Sequence, residues 1–289
     1  MEKDTFLVVG ADGLIGRKLV DYLKKKGESV LGTTRRPDTV SRSRVYLDLT
    51  ADIAPWQPPR RISIAYLCGA VTSLRSCQES PEQTALVNVH HTIALAKKLA
   101  NNGTFVVFPS TNLVFDGSVP FQKAGARMCP KTEYGRQKAE AERQLLASGD
   151  SVAVVRLTKV LPPDMPLFAD WVRKLRHDEV ITPFSDMVMS PVLLDSVVAI
   201  LYRVGKKRLA GIVQVSGEKD VTYEEVARHI ALKMGANVTL VQSIKSCESG
   251  LSPEAVPRHT TLDTSRLRNE LGVELPEVWA IVDSVLNLS

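Results

Sequence analysis

No apolar run in this 289-residue chain approaches the ~20 residues needed to cross a bilayer, so membrane association is not expected. The opening MEKDTFLVVG lacks the charged, apolar and cleavage regions of a secretory signal. Cysteine is sparse and unpaired: Cys68, Cys77, Cys129 and Cys247 are scattered. That spacing excludes a disulfide framework and a zinc site. No metal is expected, and a reducing cytoplasm is the simplest setting. A basic stripe is also missing. The net charge is +5, but Lys and Arg are interleaved with Asp and Glu, which argues against nucleic acid and for a phosphate-bearing small ligand. Internal repeats and low-complexity segments are absent too, apart from a local Pro-rich loop, APWQPPRR, at Ala54 to Arg61.

What the chain does have is an alternating pattern. FLVVG, ESVLGTT, ISIAYLCGA, TFVVFPS and SVAVVRL are β-branched apolar runs of strand length. Between them, IGRKLVDYLKKKG and PEQTALVNVHHTIALAKKLANNG carry apolar residues at three-to-four spacing; Pro81 starts the second and Gly103 lies just past its end. Strand–helix–strand repetition predicts an α/β fold with a doubly wound parallel sheet of Rossmann type, whose ligands sit beyond the carboxyl ends of the strands. VLPPDMP breaks the pattern near residue 160. We expect a cofactor-binding domain over residues 1–160 and a smaller, interleaved lobe over 161–289, with segments near 186–218 returning to the first domain.

The first strand runs directly into GADGLIG, placing Gly10, Gly13 and Gly16 in a G-x-x-G-x-x-G spacing ahead of a helix. A glycine turn lets backbone approach a pyrophosphate. The free N–H groups of the helix start, at Leu14, Ile15 and Gly16, and the positive dipole end meet its charge. A plain tight turn is the alternative, but the strand–turn–helix context favours a dinucleotide. The second strand ends in Arg35 and Arg36, where an Asp or Glu would bind the ribose hydroxyls of NAD. Guanidinium forks suit a phosphate dianion, so NADP is the expected cofactor unless both arginines are merely solvated. Asp48 and Leu49, in YLDLT, are expected near the adenine edge.

TEYGRQKAEAE raises a separate question, because Tyr134 and Lys138 stand one helical turn apart on one face. FPSTNLVF, after the fourth expected strand, adds Ser110 and Thr111. Hydride transfer to a carbonyl requires a proton at oxygen. Tyr134 is the expected donor and Lys138 the cation that stabilises its phenolate. Thr111, with Ser110 as the neighbouring candidate, would hydrogen-bond the carbonyl oxygen.

With these motifs in this order, the chain resembles the extended short-chain dehydrogenase/reductase superfamily. More narrowly, it resembles the dTDP-4-dehydrorhamnose reductase family. PSTNLVFDG is similar to that family's S-T-D-Y-V-F-D-G, YGRQKAEAE to its Y-G-R-T-K-x-x-x-E, VVRLT to its arginine strand, and TTLDTSRLRNELG to its A-L-D-T-S-K-L segment. The likeness covers nearly the whole chain. It implies reduction of the 4-keto group of a nucleotide-linked deoxysugar with NADPH by Thr111, Tyr134 and Lys138. Ser110, Asn112 and Arg258 would lie on the substrate side, Arg258 reaching the diphosphate, and Lys138 would hold the nicotinamide ribose. It also implies that Asn88 positions the lysine through water. Asn112 and Leu113 replace the family's Asp and Tyr, and His91 replaces a helix glycine. The Asp-Glu pair used by dehydratases on this scaffold is missing. His90 and His91 are expected to be packed or solvated, and Met187 and Met189 of SDMVMSP to be core filler.

Two other functions fit the same residues: another sugar-nucleotide epimerase or reductase, and a cofactor-binding regulatory subunit without turnover. The expected partner is a nucleotide sugar, with no nucleic acid and no membrane. A homodimer is the expected assembly, the ADWVRKLRHD helix offering a face.

Overall fold

Apolar alternation on both sides of each strand builds a seven-stranded, wholly parallel sheet. The computed structural model describes residues 4–286. Its first strands are β1 (Thr5–Val9), β2 (Ser29–Thr34), β3 (Arg44–Tyr46), β4 (Ile64–Leu67), β5 (Phe105–Thr111) and β6 (Val152–Leu157). Short strands β7 (Lys159–Leu161), β8 (Val188–Met189) and β9 (Pro191–Leu193) follow, then β10 (Gly211–Val215) and β11 (Val221–Thr222). The order across the sheet is β10-β6-β5-β4-β1-β2-β3. The chain therefore starts in the middle, winds out to β3 and then reverses to the other side through β4. Ligand clefts open at such a reversal, beyond the strand ends.

Odd and even positions of each strand feed opposite faces. Phe6 and Val8 join Leu19 and Leu23 of α1 (Leu14–Lys25) in one buried cluster. Leu7 and Val9 join Leu95 and Leu99 in the other. The side chains of Phe6, Leu7 and Val8 are fully excluded from solvent, each contributing ~1.5–3 kcal/mol of burial. Further along come α2 (Leu74–Glu79), α3 (Pro81–Ala85), α4 (Thr92–Asn101), α5 (Glu133–Leu146), α6 (Pro166–Arg176) and α7 (Leu194–Lys207). α8 (Tyr223–Lys233), α9 (Ser265–Leu271) and α10 (Val278–Leu286) complete the helices. Phe168, Trp171, Val226, Ile230, Ile281 and Val282 from α6, α8 and α10 form a separate core, which Met189 also enters and against which Met187 packs.

The second crossover segment departs from the continuous helix its periodicity predicts. Between α3 and α4 the backbone widens into a π-helical stretch, Leu86–His91. The Thr92 hydroxyl donates to Val87 O at 2.7 Å, and the Asn88 side chain turns out to bond Val71, accepting from its N–H at 2.8 Å and donating to its carbonyl at 2.9 Å. Side chains thus take up bonds that the widened turn disturbs. Such insertions occur often beside functional sites.

No helix among the described residues is long and apolar enough to cross a membrane.

Candidate active site and cofactor cavity

β1 delivers the chain into a turn that only glycine can make. Gly10 has φ +75°, and a Cβ there would lie 2.6 Å from Gly69 Cα. A Cβ on Gly16 would lie 2.2 Å from Gly10 O, so the first turn of α1 packs directly on the loop backbone. Gly13 caps α1 with no side-chain bond to the helix. The first N–H groups of α1, from Leu14 onward, have no intrahelical acceptor and meet no capping side chain.

Beyond these strand ends lies a cavity of about 540 Å³, inside the ~300–1,000 Å³ usual for small-molecule sites. Its wall includes Gly10, Gly13, Arg35, Arg36, Asp48 and Leu49. Leu14, Ile15 and Gly16 stand behind the turn rather than in that wall. Arg35 and Arg36 are exposed, and no ion pair engages either among the described residues. Asp48 is partly committed, its Oδ1 accepting from the N–H and hydroxyl of Thr50 at 2.9 and 2.8 Å. His91 is half-buried, and its Nδ1 sits 2.8 Å from Leu49 O.

Sequence reasoning missed part of this wall. Asp12, Thr34, Cys68, Gly69, Ala70 and Val71 also line it. The rule that loops after strands carry ligands could have found Cys68 to Val71, which directly follow β4.

The other expected residues gather on β5 and α5. Gly135 packs so tightly on the turn after Thr111 that a Cβ would lie 2.2 Å from Leu113 O. This brings the first turn of α5, with Tyr134, against the end of β5. Tyr134 is half-buried; burial raises its phenol, and the nearby Cys77 thiol adds to the shift. Lys138 is 2% exposed. Its ammonium donates to Pro109 O at 2.7 Å and lies 3.6 Å from the centre of the Phe108 ring. Burial lowers Lys138 to about 7, while Glu142 and Cys68 pull it upward. Burial also pushes the Cys68 thiol to about 12, with Lys138 opposing. Cys68 lies between the two halves, because it lines the cavity and is close enough to Lys138 for each to influence the other's titration.

Thr111 is buried and caps the following turn, its hydroxyl accepting from Leu113 N at 3.2 Å. Ser110 is 6% exposed, and its hydroxyl has no hydrogen-bond partner. Asn88 bonds Gln137 at 2.8 Å as well as Val71, so it braces α5 through Gln137 and makes no direct bond to Lys138. Asn112 borders a recess of only about 10 Å³ formed with Pro257, His259 and Thr260. Arg258 is exposed beside that recess and outside its wall.

A buried ion pair anchors α5. Glu142, one turn past Lys138, binds Arg156 of β6, Arg156 Nη2 donating at 2.7 Å, with both side chains 1% exposed or less. Arg156 Nη1 also donates to Ala124 O at 2.9 Å and the guanidinium lies over Phe115. Gln214 of β10 accepts from Arg156 and donates to Gln122 O and Asp263 O at 2.8 and 3.0 Å. Its amide thus ties the TTLDTS segment to the sheet. Asp220 fixes the same segment, accepting from the N–H groups and hydroxyls of Thr260 and Thr261.

The chain is 25% identical over 279 residues to a probable low-salt glycan biosynthesis reductase of Haloferax volcanii, covering 93% of each. It is 26% identical to methionine adenosyltransferase 2 subunit beta of Xenopus tropicalis, covering 90% of this chain and 80% of that one. Its fold superposes on the crystal structure of dTDP-4-dehydrorhamnose reductase from Bacillus anthracis in complex with NADP with a TM-score of 0.83, at 19% identity over 98% of each chain. The architecture is that of the extended short-chain dehydrogenases/reductases, and the chain belongs to the family described as the RmlD substrate binding domain, whose model matches residues 4–288.

Proposed function

We propose that this chain is an NADP-dependent oxidoreductase that reduces the 4-keto group of a nucleotide-linked deoxysugar. The observation that carries the reading is the cavity itself. A glycine turn, whose Gly13 precedes a helix start with no capping side chain, forms one end, and two arginines without ion pairs at the end of β2 stand at the other. These are the donors that a pyrophosphate and a ribose phosphate require. NADPH, when bound, supplies the hydride.

The chain's own residues handle the proton and the orientation. The Tyr134 phenol is protonated through the neutral range as an ordinary tyrosine is, and burial raises it further; this is the state needed to donate to a developing alkoxide. Lys138, one turn along, provides the positive charge that offsets the phenolate left behind. Thr111 orients the carbonyl once its hydroxyl is released from capping Leu113, and Ser110 holds a buried hydroxyl that is already free. Arg258 and Asn112 belong to the substrate side in this reading. Residues 1–160 form the cofactor domain and 161–289 the substrate lobe, with 186–218 shared between them.

A second reading, a cofactor-binding subunit without turnover, draws on specific observations. Lys138 points to Pro109 O, Thr111 is spent on a turn, and one relative is the beta subunit of another enzyme. The discriminating assay follows NADPH absorbance with a panel of 4-keto-6-deoxy nucleotide sugars, comparing the native chain with Tyr134→Phe. The oxidoreductase reading expects turnover that falls at least ~10²-fold in the variant. Tight NADPH binding without turnover on any ketosugar establishes the subunit reading instead.

A further inference from the structure

Asp12 is out of place for a cavity that takes a 2′-phosphate. It lies inside the glycine turn, in the same wall as Thr34, Arg35 and Arg36. An acid near the adenosine ribose ordinarily selects the free hydroxyls of NAD and repels a phosphate dianion. The structure contains a device that removes this conflict. Arg44 of β3 reaches across and its Nη2 ion-pairs with Asp12 Oδ1. On the other oxygen, Asp12 Oδ2 accepts from the Thr34 hydroxyl at 2.7 Å.

Thr34 is also the joint between Asp12 and the arginine loop. Its hydroxyl oxygen accepts from Arg36 N–H at 3.0 Å and stands 3.0 Å from the Thr39 hydroxyl, which donates to Arg36 O at 2.9 Å. Asp12 and Arg36 are thus linked through one buried hydroxyl. Behind them lies a second cleft of about 460 Å³, which shares Asp12 and Arg36 with the cavity and is lined by Arg17, Lys24 and Arg44. Arg44 Nε is buried there without a hydrogen-bond partner. The guanidinium that neutralises Asp12 therefore reaches it from the second cleft, behind the cavity wall.

We propose that the Asp12–Arg44 pair sets the cofactor preference: Arg44 cancels the Asp12 carboxylate, so that the cavity wall no longer repels the cofactor's 2′-phosphate. The proposal rests on the cofactor reading above and adds a third basic residue, supplied by β3, that the spacing after β2 does not reveal. Arg44 acts by shielding an acid from behind the cavity wall. Its removal should therefore leave the Asp12 charge facing the anion. Asp12→Asn has the opposite expected sign, because it removes the repelling charge and releases Arg44.

The test is equilibrium binding by calorimetry on the ligand-free protein, with adenosine 2′,5′-bisphosphate and 5′-AMP as probes, which differ only in the 2′-phosphate. Arg44→Ala should weaken the bisphosphate at least ~10-fold, the order expected of an unshielded like charge nearby, and leave 5′-AMP within about threefold, a window that spans ordinary context effects. Asp12→Asn should tighten the bisphosphate, the double variant should fall between the two single ones, and Arg44→Lys should recover part of the loss. Thermal unfolding of each variant separates a folding defect from a binding one. Wild-type protein that discriminates the two probes, with Arg44→Ala and Asp12→Asn keeping that discrimination unchanged, overturns this inference and leaves the cofactor reading standing. Wild-type protein that binds both probes equally overturns the NADP reading and this inference with it.

Discussion

The two ends of the proposed site differ in how their polar groups are used. On the cofactor side, Arg35 and Arg36 are exposed and without ion pairs, the start of α1 is uncapped, and the cavity is about 540 Å³. Toward the substrate, most polar groups are spent on the fold, Ser110 apart. Thr111 caps a turn, Asp220 gathers the hydroxyls and N–H groups of Thr260 and Thr261, and the recess at Asn112 is about 10 Å³. One side is preformed for an anion. On the other, Thr111, Thr260 and Thr261 bond within the chain, so a substrate that uses them must replace those contacts. In this account cofactor affinity is built into the backbone, whereas sugar specificity depends on what the 112–126 and 257–263 segments can release.

Between the two lies the Glu142–Arg156 pair, and removing it should produce the largest effect. Arg156→Met leaves a fully buried carboxylate unpaired and removes the Arg156–Gln214 bond, at a cost of ~3–5 kcal/mol, readable by urea unfolding. A loss under ~1 kcal/mol, as for a surface pair, would mean the two sides are not coupled through it. Next is Arg35→Ala with Arg36→Ala, which should weaken NADPH by ~1.5–3 kcal/mol per lost charged contact while NADH changes little, measured by fluorescence titration. Equal weakening of both cofactors would erase the asymmetry described above.

A smaller effect concerns Lys138 and its pH dependence. Its folded value is lowered to about 7 from the ordinary lysine value of 10.5. Below both values the lysine is protonated in either state, and the folded protein bears the full cost of burying the charge. As pH rises through about 7 toward 10, the folded state sheds the proton first, so this group makes folding more favourable. Lys138→Met should therefore be more stable than wild type at pH 6, with the gap narrowing toward pH 10 in parallel denaturant titrations. A gap that widens with pH would contradict the burial described for the ammonium.

Much of the architecture was legible because β-branched runs and three-to-four periodicity report burial directly. FLVVG, SVLGTT, IAYL, FVVFPST and VAVVRL became strands, and the parallel order followed from the alternation. The π-helical stretch was hidden, because the three-to-four periodicity continues through it and its Asn88 bonds Val71, 17 residues away. β3 was hidden by its shortness, and Arg44 with it. Gly10, Gly13, Arg35, Arg36, Asp48 and Leu49 do meet in one wall, since each stands in or just after a strand-end loop. Cys68 and Asp12 were not singled out, because their relevance depends on tertiary neighbours: Lys138 for one, Arg44 for the other. The turning of Lys138 to Pro109 O likewise has no signature in the Y-x-x-x-K spacing.

The central claim is that this chain moves a hydride to a sugar ketone under the control of Tyr134. Its most direct test is mass spectrometry of the nucleotide sugar after incubation of a 4-keto-6-deoxy substrate with wild-type protein and NADPH deuterated at the transferable position. The account predicts a product one deuterium heavier at C4, and no such product from Tyr134→Phe on the same time scale although that variant still binds the cofactor. Undeuterated sugar recovered from wild-type protein saturated with the labelled cofactor, for every ketosugar tried, would contradict it.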